Sequence, residues 1–116
     1  MQEPTLNAED LLLGSEAQYD ISIPKEILLP GGEQEETPAN ASVVRLKPLT
    51  IGVFQLIMKA SRNDPGLIPL LMVKEALISP NVSLDQLRKM HIGLIEFLVE
   101  EVRNISGLMK KKRTSH

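Results

Sequence analysis

The sequence predicts a mainly α fold: a compact cluster of three to four short helices, with a possible N-terminal two-stranded β-hairpin. Three observations carry this reading. Apolar residues recur at helical spacing through most of residues 50–108. Residues suited to capping stand at the starts of these runs, and glycine or proline at their ends. Strand-like alternation is confined to two short stretches upstream of them.

Residues 1–18 read as an N-terminal arm, polar apart from Leu11, Leu12 and Leu13. Asn7 can cap a single turn there and Gly14 can end it, but one turn is too short to stand alone. Residues 19–49 read as an extended segment. Tyr19, Ile21 and Ile23 alternate with Asp20 and Ser22, the pattern of a half-buried strand. Pro24 and Pro30 then interrupt regular structure, and residues 31–42 form an acidic stretch with too few large apolar side chains to offset ordering entropy. A flexible loop is expected. Val43, Val44, Arg45, Leu46 and Lys47 read as a second strand, stopped by Pro48. The two strands could pair, though a lone hairpin is marginal in water and would have to lie on the helices.

The helical domain is residues 50–108. Thr50 is the expected N-cap of a first helix, with Ile51, Val53, Phe54, Leu56, Ile57, Met58 and Ala60 on one side and Gln55, Lys59 and Arg62 on the other. Asn63, Asp64, Pro65 and Gly66 make a turn. A second helix follows over residues 67–78; Pro69 is awkward inside it and can make itself the effective helix start, with residues 65–68 forming a tighter turn. Ser83 and Gln86 are spaced for a capping box that opens a short helix from Leu84 to about Met90. The last helix passes through Leu94, Ile95, Phe97, Leu98, Val99, Val102 and Ile105, with Gly93 at its start and Gly107 as its C-terminal stop. Residues 109–116 read as a basic, disordered tail.

Composition narrows the functional classes. The chain of 116 residues has room for one small domain. Tyr19, Phe54 and Phe97 are its only aromatic residues, too few for a stacking platform, so nucleic acid is not an expected partner. There is no cysteine, hence no disulfide or thiolate metal site. No apolar run approaches the length of a membrane span, and the first residues do not resemble a signal peptide, so a cytoplasmic location is expected. Charge is uneven: residues 1–42 hold nine acids and one base (−8), while residues 43–116 hold twelve bases and six acids (+6). An acidic arm beside a basic helical body neutralises itself, or covers a surface that a partner later takes.

Catalytic chemistry has little to work with, and the chain is not expected to be an enzyme. His91 and His116 are the only histidines, and neither has a nucleophile and an orienting partner at useful spacing. They also fall short of a zinc ligand set. Glu96 and Glu100 share a polar helix face and read as solvated acids. Gly31 and Gly32 lack the lysine and helix of a phosphate-binding loop. No cofactor is implied. One feature does stand out: the helix over residues 67–78 is apolar nearly all round, interrupted by Pro69, Lys74 and Glu75. Neighbouring helices and the Leu11–Leu13 turn can cover it completely. Alternatively, Leu67, Ile68, Leu71, Met72, Leu77 and Ile78 leave one side open to a protein segment or a second copy, giving a possible homo-oligomer.

Residues 43–108 also carry a likeness at the level of motifs. The strand Val43-Val-Arg-Leu, then Lys47-Pro-Leu-Thr50 entering an amphipathic helix, resembles the entry segment of phage tail assembly chaperones. It is similar too to the small proteins that assist baseplate-hub assembly in contractile tails and phage-like contractile injection systems. The apolar helix ending at Ser79-Pro80, the capped Leu84-Asp-Gln-Leu87 and the closing Glu101-Val-Arg-Asn-Ile-Ser-Gly-Leu108 resemble the same family. Upstream, the likeness is confined to residues 19–24. The resemblance implies a non-catalytic cytoplasmic helper holding a tape-measure, hub or baseplate protein until assembly. A permanent tail or baseplate subunit and an unrelated small helical adaptor are the alternatives.

Overall fold

Pro80 and the β-branched Ile78 decide where the central helix ends, and with it the fold class. A residue before proline is pushed out of helical conformation, and Ile78 favours extended backbone. In the computed structural model, which describes residues 4–31 and 42–108, the helix α4 (Leu67–Ala76) stops two residues short of the expected end, and Leu77–Ser79 forms a strand, β3. That strand pairs antiparallel with β2 (Val43–Leu46), which also pairs antiparallel with β1 (Tyr19–Ser22). The chain is therefore a mixed α/β fold, with a three-stranded antiparallel sheet in the order β1-β2-β3 and six helices among the described residues. The expected mainly α cluster of three to four helices is corrected on both counts. The hairpin exists, but as two-thirds of a sheet completed by the end of α4.

The β1–β2 register places Tyr19 opposite Leu46 and Asp20 opposite Arg45. Ile23 N–H donates to the Ser42 carbonyl at 2.7 Å and so extends the ladder by one bond. Along β2 the alternation is clean: Val43 and Arg45 face solvent, Val44 is half-buried and Leu46 is buried. Two short helices flank β1, the second of them unexpected. One is α1 (Ala8–Leu11), whose Asn7 cap was expected but which continues into a 3₁₀ turn at Leu13–Glu16 and runs through Gly14 instead of ending there. The other, α2 (Lys25–Leu28), fits between the two prolines because Pro24, held in extended conformation, serves as its N-cap.

The remaining helices follow their caps. α3 (Ile51–Ala60) begins where the Thr50 hydroxyl accepts the Val53 N–H at 3.2 Å. α5 (Leu84–Arg88) opens with the reciprocal Ser83–Gln86 capping box, and stops before Met90. α6 (Ile92–Ile105) is capped by the His91 ring, whose Nδ1 accepts the Leu94 N–H at 3.2 Å. At its far end Leu108 N–H donates to the Arg103 carbonyl and Gly107 N–H to the Asn104 carbonyl, the paired bonds of a Schellman motif. Gly107 has φ +80°, a left-handed conformation that favours glycine.

The core lies on both sides of α4. On one side Met72 and Ala76 meet Leu46 of the sheet, Ile57 of α3 and Val102 of α6. On the other, Val73 meets Ile23, Leu87 of α5 and Leu98 of α6. A helix apolar all round its circumference is thus accounted for by its central place. Two hydrogen bonds tie the layers together: Lys47 N–H donates to the Ala76 carbonyl at 2.9 Å, and Leu49 N–H to the Ser106 side-chain hydroxyl at 2.8 Å. Most of the acidic loop (residues 32–41) and the basic tail (109–116) lie outside the described residues.

Candidate protein-binding surface

The six side chains singled out on the central helix do not form one open face. Met72 is 4% exposed and belongs to the core, which removes it from any surface. Ile68, Leu71 and Leu77 are half-buried and pack against the same cluster. Leu67 and Ile78 are half-buried at opposite ends of the segment, and Ile78 now sits in β3. Leu71 alone reaches a cleft, a small one of about 180 Å³ that it shares with Val53 and Leu56 of α3 and with Glu75. Nor do the three leucines of the arm cover α4: Leu11, Leu12 and Leu13 are all exposed.

A larger concavity lies on the other flank of α4. It is an open groove of about 750 Å³ between α4, α5 and the first half of α6. Pro69 and Leu70 of α4 form one wall, Leu87 and Met90 the floor, and Ile95 and Val99 of α6 the other wall. Its edges are charged: Arg88 on α5, and Glu96 and Glu100 one helical turn apart on α6. Ile92 projects at the mouth and is 75% exposed, although it is the first residue of α6. An apolar trough with a polar rim suits an amphipathic helix laid along it, with apolar side chains down and polar ones on the edges.

Sequence reasoning missed this groove because it looked along one helix, while the groove is made where three helices diverge. One signal was present. Ile92 lies one turn before Ile95 and two turns before Val99, so it extends the apolar arc of its helix by a residue beyond the seven counted in it, and it is 75% exposed.

Other apolar side chains stand in solvent. The wide apolar arc expected to bury α3 is only partly used. Ile57 is buried and Val53 and Phe54 are half-buried, whereas Ile51, Leu56 and Met58 are exposed. Seven apolar residues on a ten-residue helix are more than one packed stripe can bury.

Electrostatics add one resolved feature. On the solvent face of the sheet Arg45 Nε donates to Asp20 Oδ1 at 2.9 Å. This hydrogen bond, and then the guanidinium charge, hold the Asp20 carboxyl below its ordinary range. The expected solvated acids Glu96 and Glu100 are exposed, and His91 is engaged as a helix cap. Among the described residues no three His, Asp or Glu side chains gather to hold a metal ion, and no helix is long and apolar enough to cross a membrane. Comparison of the chain with protein-family models, curated proteins and solved structures returned no match.

Proposed function

We infer that the chain is a non-catalytic assembly factor, a chaperone or adaptor. It binds a component of a phage-type tail or a phage-like contractile injection system in the cytoplasm. The observation that carries the reading is the groove between α4, α5 and α6, apolar in its trough and charged at its rim. The motif likeness over residues 43–108 supplies the class of client: a tape-measure, hub or baseplate protein. A helix-in-groove mode would shield one apolar segment of such a client at a time.

Affinity purification of the tagged chain from cells producing the particle, with mass spectrometry of what is retained, tests the reading. Recovery of a tail component supports it. Recovery of none favours an unrelated helical adaptor. Mass spectrometry of purified mature particles separates the two tail-related roles, since stoichiometric presence there would make the chain a permanent subunit.

A further inference from the structure

The arm and the outer face of α3 are two uncovered surfaces of opposite character. Between residues 4 and 18 the chain carries Glu9, Asp10 and Glu16 and no base, together with the exposed leucines Leu6, Leu11, Leu12 and Leu13. The arm is nonetheless a formed element. Asn7 and Asp10 close a reciprocal capping box, each backbone N–H bonded at 2.9 Å to the other's side chain, and the 3₁₀ turn follows directly. Leu11, at 72% exposure, projects from an ordered turn into water.

The outward arc of α3 is the converse. Ile51, Leu56 and Met58 are exposed there beside Gln55 and Lys59, with Arg62 just past the helix end. Lys47 precedes the helix, and no acid occurs anywhere from Lys47 to Arg62. The arm thus carries three acids and no base, while the α3 face carries Lys59 and Arg62, with Lys47 just before it and Glu75 at the Leu56 edge; the two surfaces oppose in charge and share apolar content.

We propose that the leucine-bearing acidic arm of one copy docks on the basic, apolar outer face of α3 of a second copy. Each copy brings one arm and one α3 face, so reciprocal exchange uses both surfaces twice and closes as a two-fold dimer with none left over. Leucines supply the affinity, while the opposite charges steer approach and fix orientation. Within one chain both surfaces stand uncovered together, and the arm is tied to β1 by Ala17 and Gln18 alone. The dimer uses other elements than the groove and does not rest on the client-binding reading.

Sedimentation equilibrium of the full chain, from low micromolar to submillimolar concentration, reads the result. The average mass should rise towards that of two chains, with association weakening as salt screens the charges. Leu11→Ser with Leu13→Ser should weaken dimerisation by about tenfold or more per leucine, and Ile51→Ser with Leu56→Ser should do the same. All four side chains are exposed, and unchanged circular dichroism will verify that the fold is retained. Glu9→Lys with Glu16→Lys should abolish self-association, and mixing that variant with Lys59→Glu, Arg62→Glu chains should recover a heterodimer. A monomer at every concentration overturns the proposal, including one in which the arm protects α3 of its own chain. So does a dimer indifferent to the arm substitutions, or a failure of the charge-reversed pair to associate.

Discussion

Leu87→Ala tests how the groove is held together. α5 has five residues, far fewer than an isolated helix needs, so its place depends on its capping box and on one buried anchor. Leu87 is that anchor: it is 0% exposed and packs against Ile23, Val73 and Leu98 while forming the groove floor. Removing a fully enclosed leucine side chain costs about 3–5 kcal/mol, as lost transfer energy plus the cavity left behind. A small domain of this kind has a total stability of only about 5 kcal/mol, so most of its margin would go. Urea unfolding followed by circular dichroism should show a midpoint about 2 M lower with little change in slope. Hydrogen exchange should show the Lys89 and Met90 amides, bonded within this turn, opening before those of α6. Leu56→Ala, at an exposed site on α3, is the control and should stay within about 0.5 kcal/mol. A Leu87→Ala loss below about 1 kcal/mol would refute the reasoning, because α5 would then be held by something other than its buried leucine.

Ser106→Ala removes the acceptor of the partly buried Leu49 N–H and should cost about 1–3 kcal/mol in chemical unfolding, loosening the start of α3 from the end of α6. Gly107→Ala puts a Cβ on a residue at φ +80° and should lower stability by about 1 kcal/mol, even though open space surrounds it. For Asp20, whose folded-state carboxyl titrates below its ordinary value of 3.8, the Arg45 pairing adds stability above that value. The contribution fades as pH falls through the lower folded value. Asp20→Asn should therefore lower stability slightly at neutral pH and flatten the acid limb of the stability-versus-pH curve by the same small amount, small because the pair is exposed.

Local signals in the sequence proved accurate at the helix caps, though not at Gly14, which the first turn runs through. Thr50, Ser83 and Asn7 cap the helices that they were expected to cap, and Gly107 closes the last one in left-handed conformation. The pairing of the first two strands was also legible from alternation. What was not legible required knowledge of partners. Leu77 and Ile78 continue the apolar run of α4, and although Ile78 and Pro80 disfavour helix there, it is the pairing with β2 that makes Leu77–Ser79 a strand. α2 was hidden because prolines on both sides suggested irregular chain, whereas Pro24 supplies the helix start. The candidate site shows the same division. The apolar character of α4 was read correctly, but its meaning was core, with Met72 inside it. The open surface was assembled from Pro69 and Leu70 of α4, Met90 just after α5, and Ile92 and Ile95 of α6, which no single periodicity could reveal.

The client-binding claim is tested most directly at Ile92, which lines the groove yet is 75% exposed, so that its replacement leaves the core untouched. Glutamate there also suits a helix N-terminus. Wild-type and Ile92→Glu chains, each tagged and purified from particle-producing cells, would be compared by quantitative mass spectrometry. The account predicts that the wild type retains a tape-measure, hub or baseplate protein and that Ile92→Glu, folded to the same thermal midpoint, loses it by tenfold or more, the effect of about 1.4 kcal/mol. Equal recovery of that component by both chains would contradict the groove as the binding surface, and absence of any tail component from both would contradict the assembly role itself.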